Sequence, residues 1–227
     1  MQLDNRRIVV TGGFGTLGAA TVRAVLDAGA RVAAMDRTEP PTSSMAQALC
    51  IGGVDLADAQ AAKNAMAQAV QALGGLDALV NIAGTFRYET VTGGNLDTWD
   101  LMYRVNLRTA VAASQAALEH MQAGGRIINI GANAALKSGA GMGAYAASKS
   151  GVMRFTEALA EELKSRDITV NAVLPSILDT PPNRTDMPKA NFDSWVKPQQ
   201  LADVIVFLLS DQATAVTGAL IPVIGRV

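Results

Sequence analysis

Thr11-Gly12-Gly13-Phe14-Gly15-Thr16-Leu17-Gly18 lies between the apolar run Ile8-Val9-Val10 and an alanine-rich segment, residues 19–28. The run is too short for anything but a buried strand, and a glycine cluster punctuates regular structure, so the order is strand, tight turn, helix. Bare backbone amides at a helix N-terminus make an anion site. Glycine serves there because a Cβ would hold a phosphate away from the amides and would forbid positive φ angles. Gly12, Gly15 and Gly18 thus read as a G-x-x-G-x-x-G fingerprint for dinucleotide pyrophosphate. A glycine turn needs no ligand by itself, so its context decides.

The helix is stopped at Ala28-Gly29, and Arg31-Val32-Ala33-Ala34-Met35 forms the next apolar run, closed by Asp36. A carboxylate about 20 residues beyond the glycines, at the end of the second strand, is placed to accept hydrogen bonds from an adenosine ribose. It favours NAD(H), because it would repel a 2′-phosphate, while the adjacent Arg37 leaves NADP(H) possible.

At 227 residues the chain fits one domain, residues 1–227. With 49% apolar residues and a net charge of −1, nothing points to nucleic acid or a charged membrane as partner. Cys50 is the single cysteine, which excludes an internal disulfide and fits a reducing, cytoplasmic setting. The chain enters its first strand directly after Arg6 and Arg7, leaving no room for a signal peptide, and no apolar run is long enough for a membrane span.

Further along, residues 37–44 make a polar loop with prolines, and Leu49-Cys50-Ile51 with Val54 a third strand leading to Asp55-Leu56. Helices are expected over 57–73, about 97–121 and about 144–165. Strands are expected over 78–84, 126–130, 168–174 and 219–221. Residues 175–198 lack periodicity and read as a substrate loop or lid, followed by a short helix through Leu209. Alternating strands and helices predict an α/β fold: a doubly wound parallel sheet, the Rossmann arrangement, with helices on both faces. Its ligand crevice lies at the carboxyl ends of the strands.

Tyr145 and Lys149, four apart on one helix, share a face. An ammonium beside a phenol would lower the tyrosine pKa and make it a general acid or base. On position alone, a pair of surface neighbours explains them equally well. The chain resembles the short-chain dehydrogenase/reductase family. The resemblance rests on the glycine turn, Asp36, Asp55-Leu56, Asn81-Ile82-Ala83-Gly84, Asn106, Tyr145-Ala146-Ala147-Ser148-Lys149, Asn171 and Pro175. It implies that Tyr145 moves the proton, Lys149 lowers its pKa and holds the nicotinamide ribose, and Asn106 props a water relay. It also implies that residues 81–84, with Asn81, Ala83 and Gly84, line the adenine and ribose pocket. Pro175 and Ile177 would border the nicotinamide, and Phe14, Thr16 and Leu17 complete the phosphate turn. A homodimer or homotetramer is expected by the same resemblance, and no metal.

Two departures stand out. Gly15 and Thr16 exchange the residue types common in the family. Ala132 occupies the place of the substrate-orienting serine, and losing one oxyanion donor costs on the order of a hundredfold to a thousandfold in rate. Asn133 is the nearest polar replacement. The alanine, with residues 131–136 and 178–195, is similar to the dihydropteridine-reductase-like branch of the family. That similarity implies a quinonoid dihydropterin as substrate. The alternatives are a general carbonyl or 3-oxoacyl reductase or alcohol dehydrogenase, and a catalytically weak nucleotide-binding regulatory protein. With one histidine, His120, and one cysteine, a His-rich zinc site is excluded. Trp99 and Trp195 read as packing residues, with Trp195 the one placed to cover a flat substrate. Met142 is either core or pocket wall.

Overall fold

The computed structural model describes residues 2–40, 45 and 47–227, so positions 41–44 of the expected polar loop lie outside the described residues. The first half of the chain alternates β1 (Arg7–Thr11), α1 (Thr16–Asp27), β2 (Arg31–Met35), β3 (Leu49–Ile51), α2 (Ala59–Leu73) and β4 (Leu76–Asn81). The second half runs α3 (Leu96–Met102), α4 (Thr109–Leu118), β5 (Met121–Ile130), α5 (Gly143–Leu163), β6 (Thr169–Pro175), α6 (Pro181–Asp186), α7 (Pro198–Leu209) and β7 (Leu220–Val223).

The strands form one seven-stranded sheet in the order β3-β2-β1-β4-β5-β6-β7. Every pairing is parallel. Order reverses between β1 and β4, which opens a crevice above their carboxyl ends. Ile8, Val9 and Val10 are fully buried because helices cover both faces of the sheet. On one face Val10, Ile128 and Val173 pack with Val22 and Val25 of α1 and with Leu201, Ile205 and Leu208 of α7. On the other, Val9, Leu79 and Ile127 pack with Met66 of α2, Ala113 and Ala117 of α4, and Leu159 and Leu163 of α5.

Local chemistry sets most boundaries. Asp58 caps α2 by accepting from the Ala61 amide at 2.7 Å, and Gly74 ends it at φ +76°. The single helix expected over 97–121 is instead interrupted. Residues 103–108 form a π-helical stretch between α3 and α4, and Asn106 in it is buried. A wide turn lets a side chain leave the regular ladder, and such turns recur at functional sites. The helix ends at Leu118, and Met121 already belongs to β5, pairing with Leu76.

Residues 175–198 carry more structure than their lack of periodicity implied. Thr180 caps α6, residues 192–194 form a 3-10 turn, and Leu178 bridges to Val196. The Arg184 guanidinium donates to both Asp179 carboxylate oxygens, at 2.6 and 2.8 Å, and lies 4.7 Å over the Phe192 ring. Trp195 is 4% exposed and rests against Phe192, so it packs the segment from inside instead of covering the crevice.

Candidate active site

The turn between β1 and α1 is built as Gly12 and Gly18 require. Gly12 sits at φ +64°, and a Cβ there would lie 2.7 Å from the Ala83 amide nitrogen. A Cβ on Gly18 would come within 2.0 Å of the Gly12 carbonyl oxygen. Gly15 differs. Its φ of −73° suits any residue, and the one protein atom near its missing Cβ is the Gly12 oxygen at 3.6 Å. As the N-cap of α1 it offers no side-chain bond, so the first amides of the helix have no side-chain cap. Such an uncapped, open helix start fits a bound pyrophosphate. Thr16 is exposed there, while the Leu17 side chain turns into the core and leaves only its backbone to the turn.

Asp36, half-buried at the end of β2, accepts from the Phe14 amide at 3.1 Å and from the Thr38 amide and hydroxyl, both at 3.1 Å. Arg37 beside it is exposed. Past β3, Asp55 accepts from the Ala57 amide at 3.0 Å and from Arg104 at 2.5 Å. The next side chain, Leu56, is 4% exposed and belongs to the core, so it presents backbone only.

The Asn81 side chain is 4% exposed and donates to Ser114 Oγ at 3.0 Å and Asn129 Oδ1 at 2.9 Å. Strand alternation turns it into the sheet face, where it ties β4 to α4 and β5. The segment's surface is formed by backbone: Thr11 Oγ1 accepts from the Ile82 and Ala83 amides at 3.1 and 3.3 Å. Ala83 is thereby seated against Gly12.

Gly84 stands against both Asn106 and Lys149. A Cβ there would meet Asn106 Oδ1 at 3.0 Å and Lys149 Nζ at 3.3 Å, so the three residues converge. Asn106 accepts from the Thr85 amide at 2.7 Å and donates to Ser148 Oγ at 2.9 Å. Lys149, 5% exposed, donates from Nζ to the Ile130 carbonyl at 2.8 Å. Tyr145, one turn earlier on α5, meets the Phe86 ring edge-on at 4.9 Å. Burial pushes the Tyr145 phenol up to about 12 and the Lys149 ammonium down to about 8. No Coulombic lowering by Lys149 accompanies that burial, contrary to the expectation, and Tyr145 rests as a neutral phenol with a proton to give.

Ala132 is 3% exposed and extended, followed by the half-buried Asn133 at the start of a 3-10 turn. Pro175 closes β6 and is buried, and Ile177, half-buried, accepts from the Val196 amide at 3.0 Å. Thr11, Thr38, Phe86, Arg104 and Ser148 support or border the site without having been singled out. Thr11 and Ser148 lie within the stretches already quoted, whereas nothing in the sequence joins Phe86 to Tyr145 or Arg104 to Asp55. Among the described residues no cluster of three or more metal-ligating side chains occurs, and no helix is long and apolar enough to cross a membrane.

The chain is similar to known proteins over nearly its whole length. The chain is 31% identical to the 3-oxoacyl-[acyl-carrier-protein] reductase FabG of Thermotoga maritima over 242 residues, covering 99% of this chain and 98% of that one. It is also 31% identical to L-xylulose reductase of Bos taurus, covering 99% and 97%. A short chain dehydrogenase from Burkholderia cenocepacia, solved in complex with NADP, superposes with a TM-score of 0.86 at 32% identity, covering 99% and 98%. The family described as short chain dehydrogenase matches residues 6–191, and the chain belongs to that family of oxidoreductases.

Proposed function

We propose that the protein is an NAD(P)H-dependent reductase of small carbonyl compounds, the class to which the oxoacyl and xylulose reductases similar to it belong. The observation that carries this reading is the convergence of Lys149 Nζ and Asn106 Oδ1 on Gly84, one helical turn from a protonated Tyr145. The nicotinamide, when bound, supplies the hydride. Tyr145 gives its proton to the developing alkoxide, Lys149 holds the nicotinamide ribose, and Asn106 fixes Thr85 and Ser148 around the proton path.

The dinucleotide lies across the strand ends. Gly12, Phe14, Gly15, Thr16, Leu17 and Gly18 hold the pyrophosphate. Asp36 and Arg37 face the adenosine ribose, and Asp55 and Leu56 face the adenine. Ala83 and Gly84 pass beneath the nicotinamide half, which Pro175 and Ile177 border. Asp36 favours NADH; the NADP-bound neighbour supports the phosphorylated form, which Arg37 would accommodate. Residues 175–198 act as the substrate lid. The working form is a homodimer or homotetramer in the cytoplasm, the assembly covering Leu96, Leu101 and Tyr103, which this chain exposes.

A second reading, quinonoid dihydropterin reduction, is favoured by one observation: Ala132 puts a methyl where the family's serine would donate. A conjugated, electron-poor ring builds less localised oxyanion on hydride addition, so the missing donor costs less. The named relatives give no support to that branch specifically.

The test is nicotinamide consumption with 3-oxoacyl thioester, ketose and quinonoid dihydropterin. Tyr145→Phe is expected to lower kcat about a hundredfold or more while cofactor binding persists. Under the carbonyl reading, Ala132→Ser accelerates ketone reduction about tenfold or more; under the pterin reading it does not. Cofactor binding without Tyr145-dependent turnover on any of the three would favour the regulatory alternative.

A further inference from the structure

The π-helical stretch that carries Asn106 also grips the loop after β3. Arg104 donates to Asp55 Oδ2 at 2.5 Å, and Arg108 Nε donates to the Ala57 carbonyl at 2.7 Å. The Asp55 carboxylate is therefore held from two sides, by Arg104 on one oxygen and by the Ala57 amide on the other. Arg104 is 60% exposed and Asp55 45%, so the pair adds little to stability. Its consequence is orientation.

We propose that Arg104 is a specificity-determining positioning residue, holding Asp55 so that its carboxylate selects the amino-purine base of the cofactor. The inference rests on the dinucleotide reading above and adds to it a residue that touches Asp55. Pyrophosphate at the end of β1 and ribose at Asp36, the end of β2, send the base onward to β3, where Asp55 stands. A carboxylate only accepts hydrogen bonds, and with one lone pair taken on each oxygen, others remain free. Adenine's exocyclic amine donates to it; the oxo group of hypoxanthine does not, and repels it. Without Arg104 the carboxylate is held by the Ala57 amide alone and can turn about that bond, and the distinction between bases narrows.

The experiment titrates the full-length protein with NADH and with reduced nicotinamide hypoxanthine dinucleotide, following cofactor fluorescence. Wild type is expected to prefer NADH about tenfold, the worth of roughly one charge-assisted hydrogen bond. Arg104→Ala should cut that ratio about threefold to fivefold, mainly through weaker NADH binding, and Arg104→Lys should restore part of it. On an Asp55→Asn background, Arg104→Ala should change the ratio no further. An unchanged ratio in Arg104→Ala, or equal weakening of both dinucleotides, overturns the proposal and leaves the cofactor assignment standing. Wild-type binding without preference removes the Asp55–adenine contact and the proposal with it. No binding of either dinucleotide overturns the functional reading itself.

Discussion

Gly15 is the turn residue whose glycine the folded protein does not itself require, which separates ligand binding from folding at a single position. Gly15→Ala should keep the melting temperature while weakening dinucleotide binding about tenfold or more, since the added methyl enters the space above the helix start. Gly18→Ala should instead destabilise the protein by about 1–3 kcal/mol or more, because its methyl overlaps the Gly12 carbonyl. Calorimetric binding beside thermal melts distinguishes the two. Lys149 gives a pH signature. Its pKa is depressed by burial from 10.5 to about 8, so between those values the unfolded chain binds more protons than the folded one. Stability therefore rises with pH across that window. Wild type should gain melting temperature relative to Lys149→Met between pH 8 and 10.5, and the difference should be flat below pH 8.

At the scale of elements, the 175–198 segment is tied down by a few contacts. Arg184 beside Asp179 holds that carboxyl below its usual range, and Arg184 also covers Phe192. The Arg184 side chain is 52% exposed against 12% for Asp179, so water screens the pair from the arginine side and its contribution to global stability is small. Arg184→Ala should shift the melting temperature by less than about 3 °C. It should still speed limited proteolysis within 181–195 severalfold and raise the KM of whichever substrate supports turnover, because local opening samples low-stability segments first. Peptide mapping of the cleavage sites checks the first effect and steady-state kinetics the second.

For the whole molecule, Leu96, Leu101 and Tyr103 expose apolar surface along α3 and the π-helical stretch. A chain of 23.6 kDa that pairs through this face should elute and scatter light as two or four copies. Tyr103→Glu should shift that population towards monomer, measured by light scattering at micromolar concentration. A monomeric wild type would remove the assembly from the proposal.

What the sequence determined by itself follows from local physics. Alternating apolar runs and helix formers gave the doubly wound sheet, and the glycine cluster gave the tight turn between β1 and α1. Asp36 was placed by its distance from that turn, and Tyr145 and Lys149 share a face because helical geometry relates positions four apart. Tertiary structure decided what depends on neighbours distant in the chain. Strand alternation against α4 turned Asn81 inward, and a buried Asn106 bonded to Ser148 goes with the interruption of a helix that composition alone would continue. Burial raised the Tyr145 pKa, and packing against Phe192 enclosed Trp195. Desolvation and long-range packing are set by which segments meet, and periodicity along one segment carries no record of its partners.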